Sequence, residues 1–73
     1  MPKVEINNQI RRLRFERSEM TQQELADKVG CTRQTIILLE HRRYSPSLAL
    51  ALQIAATFGL KVDDVFQLAG EKK

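Results

Sequence analysis

Arg33 and Gln34 are neighbours whose side chains can each grip a flat partner by paired hydrogen bonds. A guanidinium offers parallel N–H donors that match the O6 and N7 acceptors of guanine. A carboxamide offers a donor and an acceptor that match N6 and N7 of adenine. Ile37 and Leu38 follow one helical turn later, where apolar atoms can meet a thymine methyl. Arg42, Arg43 and Tyr44 come next, two cations and a hydroxyl suited to phosphate. The chemistry open to this stretch is recognition of duplex DNA. Blander readings stand beside it: Arg33 and Gln34 touching only phosphate or water, and Arg42 to Tyr44 forming an ordinary solvated turn. The alternative is that Ile37 or Leu38 bends back onto the core or a partner surface, since exposed apolar patches are uncommon on a monomer.

Such side chains need a rigid support, and residues 22–41 supply one. The stretch reads QQELADKVGCTRQTIILLEH. Leu25, Ala26 and Val29 give a first helix one apolar side, and Thr21-x-x-Glu24 forms a capping box at its start. Gly30 stands where the chain must leave that helix, and glycine takes a left-handed exit without a Cβ penalty. Thr32 can cap a second helix whose inner face carries Ile36 and Leu39. Arg33, Gln34, Ile37 and Leu38 are then left pointing outward. Two helices joined by a tight turn, the second with Arg and Gln near its start, suit a major groove.

The flanks read as further short elements. Val4 and Ile6 alternate with polar residues over Lys3 to Asn7, which predicts a strand. Asn7 or Asn8 can cap a helix to about Arg17, with Ile10 and Leu13 inward and Phe15 partly covered. Ser18-Glu19-Met20 connects it to the next helix. Tyr44-Ser45-Pro46-Ser47 reads as a turn with Ser45 or Ser47 as the cap. Leu48 to Phe58 is apolar nearly all round, so both sides need cover. Leu48, Ala51, Leu52, Ala55 and Phe58 are expected in the core, leaving Leu50 and Ile54 on a second flank. Gly59 stops this helix, and a short one follows with Asp63 and Asp64 in its first turn and Lys61 as a poor cap. Val65 to Ala69 then extends as a strand against Val4–Ile6. Leu50 and Ile54, with Val65, Phe66 and Leu68, form the expected dimer surface.

Seventy-three residues leave room for one domain with one small core, here residues 1–73, and a chain so short gains from association. The 42% apolar content is ordinary. Its net charge of +3 lies wholly in residues 1–43, which hold nine Lys/Arg against six Asp/Glu. Basic excess beside a reading helix favours phosphate, although a solvated surface has the same composition. No apolar run approaches the roughly 18 residues of a membrane span, and no apolar signal region opens the chain. A cytoplasmic protein is the expectation. The single cysteine cannot pair internally, and no Cys/His cluster offers a metal site or calls for a cofactor. Cys31 is expected as a small buried apolar residue. His41 has no partner for nucleophilic chemistry and reads as a surface residue, so an enzyme is not expected.

Taken together, TQQELADKVG, TRQTI, the glutamate at position 40, Y-x-P-S-L and F-G-L-x-x-x-x-V-F resemble the lambda-repressor/Cro-like, or XRE, helix-turn-helix family over roughly residues 8–68. The resemblance implies an all-α domain of five helices, with a small two-stranded antiparallel sheet from the termini in some relatives. It implies a homodimeric transcriptional regulator, a repressor, on palindromic double-stranded DNA. Residue by residue, Thr32, Arg33 and Gln34 would begin the recognition helix, and Ile37 and Leu38 would lie on its groove side. Gln22 would contact a phosphate, and Arg14 would pair with Glu40 to hold the reading helix. Three positions depart from the family pattern. His41-Arg42-Arg43 follows Glu40 where the family has x-Gly-Lys, Ser18 replaces a frequent glycine, and Ile37 and Leu38 replace small or polar residues. A DNA-binding antitoxin, or a protein-interaction module using the Ile37/Leu38 face, are the alternatives. Any small-molecule effector is unknown from the sequence.

Overall fold

The computed structural model describes residues 5–69, in the order β1 (Glu5–Asn8), α1 (Ile10–Glu16), α2 (Gln22–Val29), α3 (Arg33–Glu40), α4 (Leu48–Thr57), α5 (Val62–Val65) and β2 (Phe66–Ala69). Local chemistry explains where these helices begin. Thr21 Oγ1 accepts from the Glu24 N–H at 3.0 Å, and Glu24 Oε1 accepts from the Thr21 N–H at 2.7 Å, closing the capping box. Thr32 Oγ1 accepts from the Thr35 N–H at 3.2 Å, and Ser47 Oγ from the Leu50 N–H at 3.1 Å. Each such cap stabilises its helix by about 0.5–2 kcal/mol. Lys61 offers no side-chain cap to α5; instead its own N–H donates to Asp64 Oδ2 at 3.2 Å. Gln9 holds the cap position of α1, while Asn8 Oδ1 accepts from the Ile10 N–H at 3.2 Å.

The core joins every helix. Ile10 and Leu13 from α1, Leu25, Ala26 and Val29 from α2, and Ile36 and Leu39 from α3 meet Ile54, Ala55, Phe58 and Val65. Arg17 donates to the Phe58 carbonyl, and its guanidinium lies 5.7 Å from the Phe58 ring centroid, fastening α1 to the end of α4. β1 and β2 pair antiparallel, with Ile6 opposite Leu68 and Asn8 opposite Phe66. Lys3 and Val4, read as strand from the sequence, lie outside the described residues.

Two expectations are corrected here. In α4, the buried residues are Ala51, Ile54 and Ala55, whereas Leu48 and Leu52 are 73% and 52% exposed. The helix is rotated from the expected face. Leu48-Ala51-Leu52-Ala55 and Ala51-Ile54-Ala55-Phe58 have the same apolar spacing, so periodicity does not choose between them. Val65 is also wholly buried rather than displayed on a strand, because a four-residue α5 has no other residue to anchor it fully. Ile54 and Val65 are therefore unavailable to a second copy. Phe15, expected to be partly covered, is 56% exposed.

Candidate nucleic-acid interface

The turn between α2 and α3 places the reading helix. Gly30 takes φ 78°, and the N–H groups of Gly30 and Cys31 both donate to the Ala26 carbonyl, at 2.9 and 3.0 Å. Ile36 and Leu39 then lock one side of α3 into the core, at 0% and 1% exposure. Arg33 and Gln34 stand exposed on the opposite side, in the first turn. Ile37 and Leu38 are half-buried rather than fully outward, so each offers part of its surface. The Thr32 hydroxyl is exposed but occupied in capping, and it also lies 3.1 Å from the Thr35 hydroxyl.

A nearly buried ion pair fixes the far end of α3. Arg14 Nε donates to Glu40 Oε2 at 2.6 Å and Nη2 to Oε1 at 3.1 Å, with side chains only 11% and 7% exposed. This two-pronged contact sets orientation as well as distance. Arg14 Nη1 also donates to the Met20 carbonyl at 2.8 Å, and Gln22 Nε2 donates to Glu40 Oε1 at 3.2 Å. One glutamate thereby collects side chains from the first two helices. Gln22, expected at a phosphate, is held at the start of α2 by this contact.

The exit of α3 departs from expectation in a useful way. Arg42, where the family pattern has glycine, adopts φ 60°, the left-handed geometry that glycine would provide. Its N–H donates to the Leu39 carbonyl at 3.0 Å, and the Arg43 N–H to the Leu38 carbonyl at 3.0 Å. The Arg42 guanidinium donates to Asn7 Oδ1, while Asn8 Nδ2 donates to the Leu39 carbonyl at 2.7 Å. Arg43 and Tyr44 are exposed beside this turn. In the sequence the two asparagines read as helix caps and, for Asn7, as the end of a strand. Their polarity at the end of a strand was the available signal, but nothing local points to a partner 31 or 35 residues away. Ser18 and Glu19 are also left-handed, at φ 60° and 56°, so the first connection keeps the geometry of the glycine that Ser18 replaces.

Other candidates carry less. Cys31 is half-buried against the core rather than wholly buried, and its Sγ donates to the Thr32 carbonyl at 3.5 Å. Burial pushes its thiol up, which disfavours the reactive thiolate. His41 is exposed at the end of α3. A shallow recess is lined by Asn8, Gln9, Arg11, Arg12, Phe15 and Glu40. Among the described residues, no group of His, Cys, Asp and Glu is placed to hold a metal ion, and no helix is long and apolar enough to cross a membrane.

Comparison with known proteins agrees with this geometry. The family model described as helix-turn-helix matches residues 10–65. The HTH-type transcriptional regulator YgzD of Bacillus subtilis is 42% identical over 66 residues, covering 90% of this chain and 98% of that protein. An HTH-type transcriptional regulator of Methanothermobacter thermautotrophicus is 58% identical over 50 residues, 67% of this chain and 72% of its own length. Another, from Methanocaldococcus jannaschii, is 53% identical over 47 residues, 64% of this chain and 71% of its own length. With its core, its capped helix pair and this match in hand, the chain belongs to the XRE-type helix-turn-helix family of DNA-binding transcriptional regulators.

Proposed function

We propose that this chain is a cytoplasmic transcriptional repressor that binds a palindromic operator as a homodimer and acts by occupancy. Two copies of α3 enter successive major grooves about 34 Å apart. The observation that carries this reading is the exposure of Arg33 and Gln34 on a helix whose opposite face is buried. Donors aimed from a fixed support can discriminate bases, because little order is lost when they bind. Arg33 reads guanine and Gln34 adenine, Ile37 covers a thymine methyl, and Leu38 flanks it. Arg43 and Tyr44 serve the phosphate backbone, joined by Gln22, Thr32 and Arg42 through the polar hydrogens they keep beside their contacts to Glu40, Thr35 and Asn7. The reading requires neither metal nor cofactor.

The dimer surface is redrawn by the burial of Ile54 and Val65. Leu50 and Phe66, both half-buried, and the exposed Leu68 remain candidates. Leu48 and Leu52 join them, since α4 is exposed there and carries no charge on any face. Sedimentation should give a dimer at micromolar concentration, and a monomer at high micromolar concentration would count against this surface.

Selection of bound duplexes from a random-sequence pool tests the main reading, giving sequence, symmetry and half-site spacing together. Affinity for the selected DNA should fall steeply with salt, because cations that neutralise phosphates release counterions. Replacing Arg33 or Gln34 by alanine should cost about 1–3 kcal/mol of base discrimination each. Undetectable or salt-independent binding would sink the proposal. The Ile37/Leu38 face as a protein-docking patch would survive those two substitutions, whereas DNA recognition would not.

A further inference from the structure

Asn7 and Asn8 end β1, and both reach the exit of α3. Asn8 Nδ2 donates to the Leu39 carbonyl at 2.7 Å while its Oδ1 accepts from the Ile10 N–H at 3.2 Å. One carboxamide thus bridges the last turn of α3 and the first turn of α1, joining the Arg42 N–H on the Leu39 carbonyl. Asn7 Oδ1 accepts from the Arg42 guanidinium. The asparagines are themselves held: β1 pairs with β2, and the Gln9 N–H donates to the carbonyl of the fully buried Val65 at 2.9 Å. By contrast, the first turn of α3 is fixed inside the helix-turn-helix by Thr32. The strand therefore controls only the end of α3 that leads into Arg43 and Tyr44.

We infer that Asn7 and Asn8 are positioning residues for DNA binding, a clamp that sets the α3 exit turn so that Arg43 and Tyr44 meet phosphates. The inference rests on the reading of α3 as the groove-entering helix. Asn7 acts through Arg42, and Asn8 acts through the Leu39 carbonyl; neither asparagine touches the bases. Loosening the clamp draws cations away from the phosphates and leaves the choice made by Arg33 and Gln34 intact, because both lie at the other end of the helix.

The test uses the full chain and the duplex that the wild-type chain recovers from a random-sequence pool. Asn8→Ser retains an oxygen for the Ile10 N–H but loses the reach to Leu39. With folding verified by circular dichroism, it should bind about five- to tenfold more weakly, with a salt slope shallower by roughly 0.9 for each phosphate that is no longer neutralised. The bases read by Arg33 and Gln34 should not change. A folded Asn8→Ser with wild-type slope and affinity, or with an altered preference at the bases read by Arg33 and Gln34, would overturn the clamp. Asn7→Ala provides a second line that does not depend on Asn8→Ser folding. It should flatten the slope in the wild-type chain and have no further effect when Arg42→Ala is already present. Independent, additive effects would overturn the role of Asn7. If the wild-type chain shows no salt-dependent DNA binding, the groove-reading assignment itself fails, and the clamp with it. Wild-type binding with unmoved variants removes the clamp alone.

Discussion

The chain leaves α2 through a glycine and α3 through an arginine, yet both residues sit in the left-handed region, at φ 78° and 60°. At Gly30 the geometry is free of Cβ strain, and the residue contributes only its backbone N–H, donated to the Ala26 carbonyl. At Arg42 the same geometry costs about 1–2 kcal/mol for a residue with a side chain. What the arginine offers in exchange is reach: its guanidinium bonds Asn7, a residue of the terminal sheet. The first exit is defined by backbone freedom alone, the second by side-chain partners. A strained position is kept where a long polar side chain has a distant task.

If that contrast holds, the α3 exit is the more sensitive to loss of side chains. Glu40→Ala should be the most damaging change, since it leaves Arg14 nearly buried without its partner. About 3–5 kcal/mol of stability should be lost, read as a lower denaturant midpoint. A loss below about 1 kcal/mol, the range of exposed pairs, would mean that the pair is not what fixes this end of the helix. Gly30→Ala comes next, at about 1–2 kcal/mol. An added Cβ there would meet nothing within 4 Å, so the loss measures conformation without a clash. Arg42→Gly should change stability least, by under about 1 kcal/mol, because relief of backbone strain offsets the missing hydrogen bond. Its effect should appear instead in DNA affinity. A large stabilisation by Arg42→Gly would show that the Asn7 contact contributes little.

Much of this arrangement was legible in the sequence, for reasons that differ by element. Helix starts were readable because caps act over three residues: Thr21 with Glu24, Thr32 with Thr35, and Ser47 with Leu50 are all local. The inner face of α3 was readable because Ile36 and Leu39 fall three apart, with the polar Thr35 and Glu40 bordering that face. The rotation of α4 was not, since LALALQIAAT is apolar all round and tertiary packing alone chooses the buried arc. The Arg14–Glu40 contact came from family resemblance, as a pair 26 residues apart leaves no periodic trace. The contacts of Asn7 and Asn8 with the α3 exit had neither source. Of the outward-facing residues, Arg33 and Gln34 are as exposed as expected, whereas Ile37 and Leu38 are partly withdrawn.

The terminal sheet has a consequence for the order of assembly. Gln9 and Gln67 share a hydrogen bond across 58 residues of chain, and the strands close that whole loop. Loop closure costs more entropy as the loop lengthens, while the helix pair around Gly30 forms from neighbours in sequence. Pairing of the strands should therefore come late in folding and open early in native fluctuations. Amide exchange should be faster in β1 than in α2 or α3. A newly made chain would complete the base-reading start of α3 before the strand arrives to steady its phosphate-facing end. Maturation of this interface would run along the recognition helix from one end to the other.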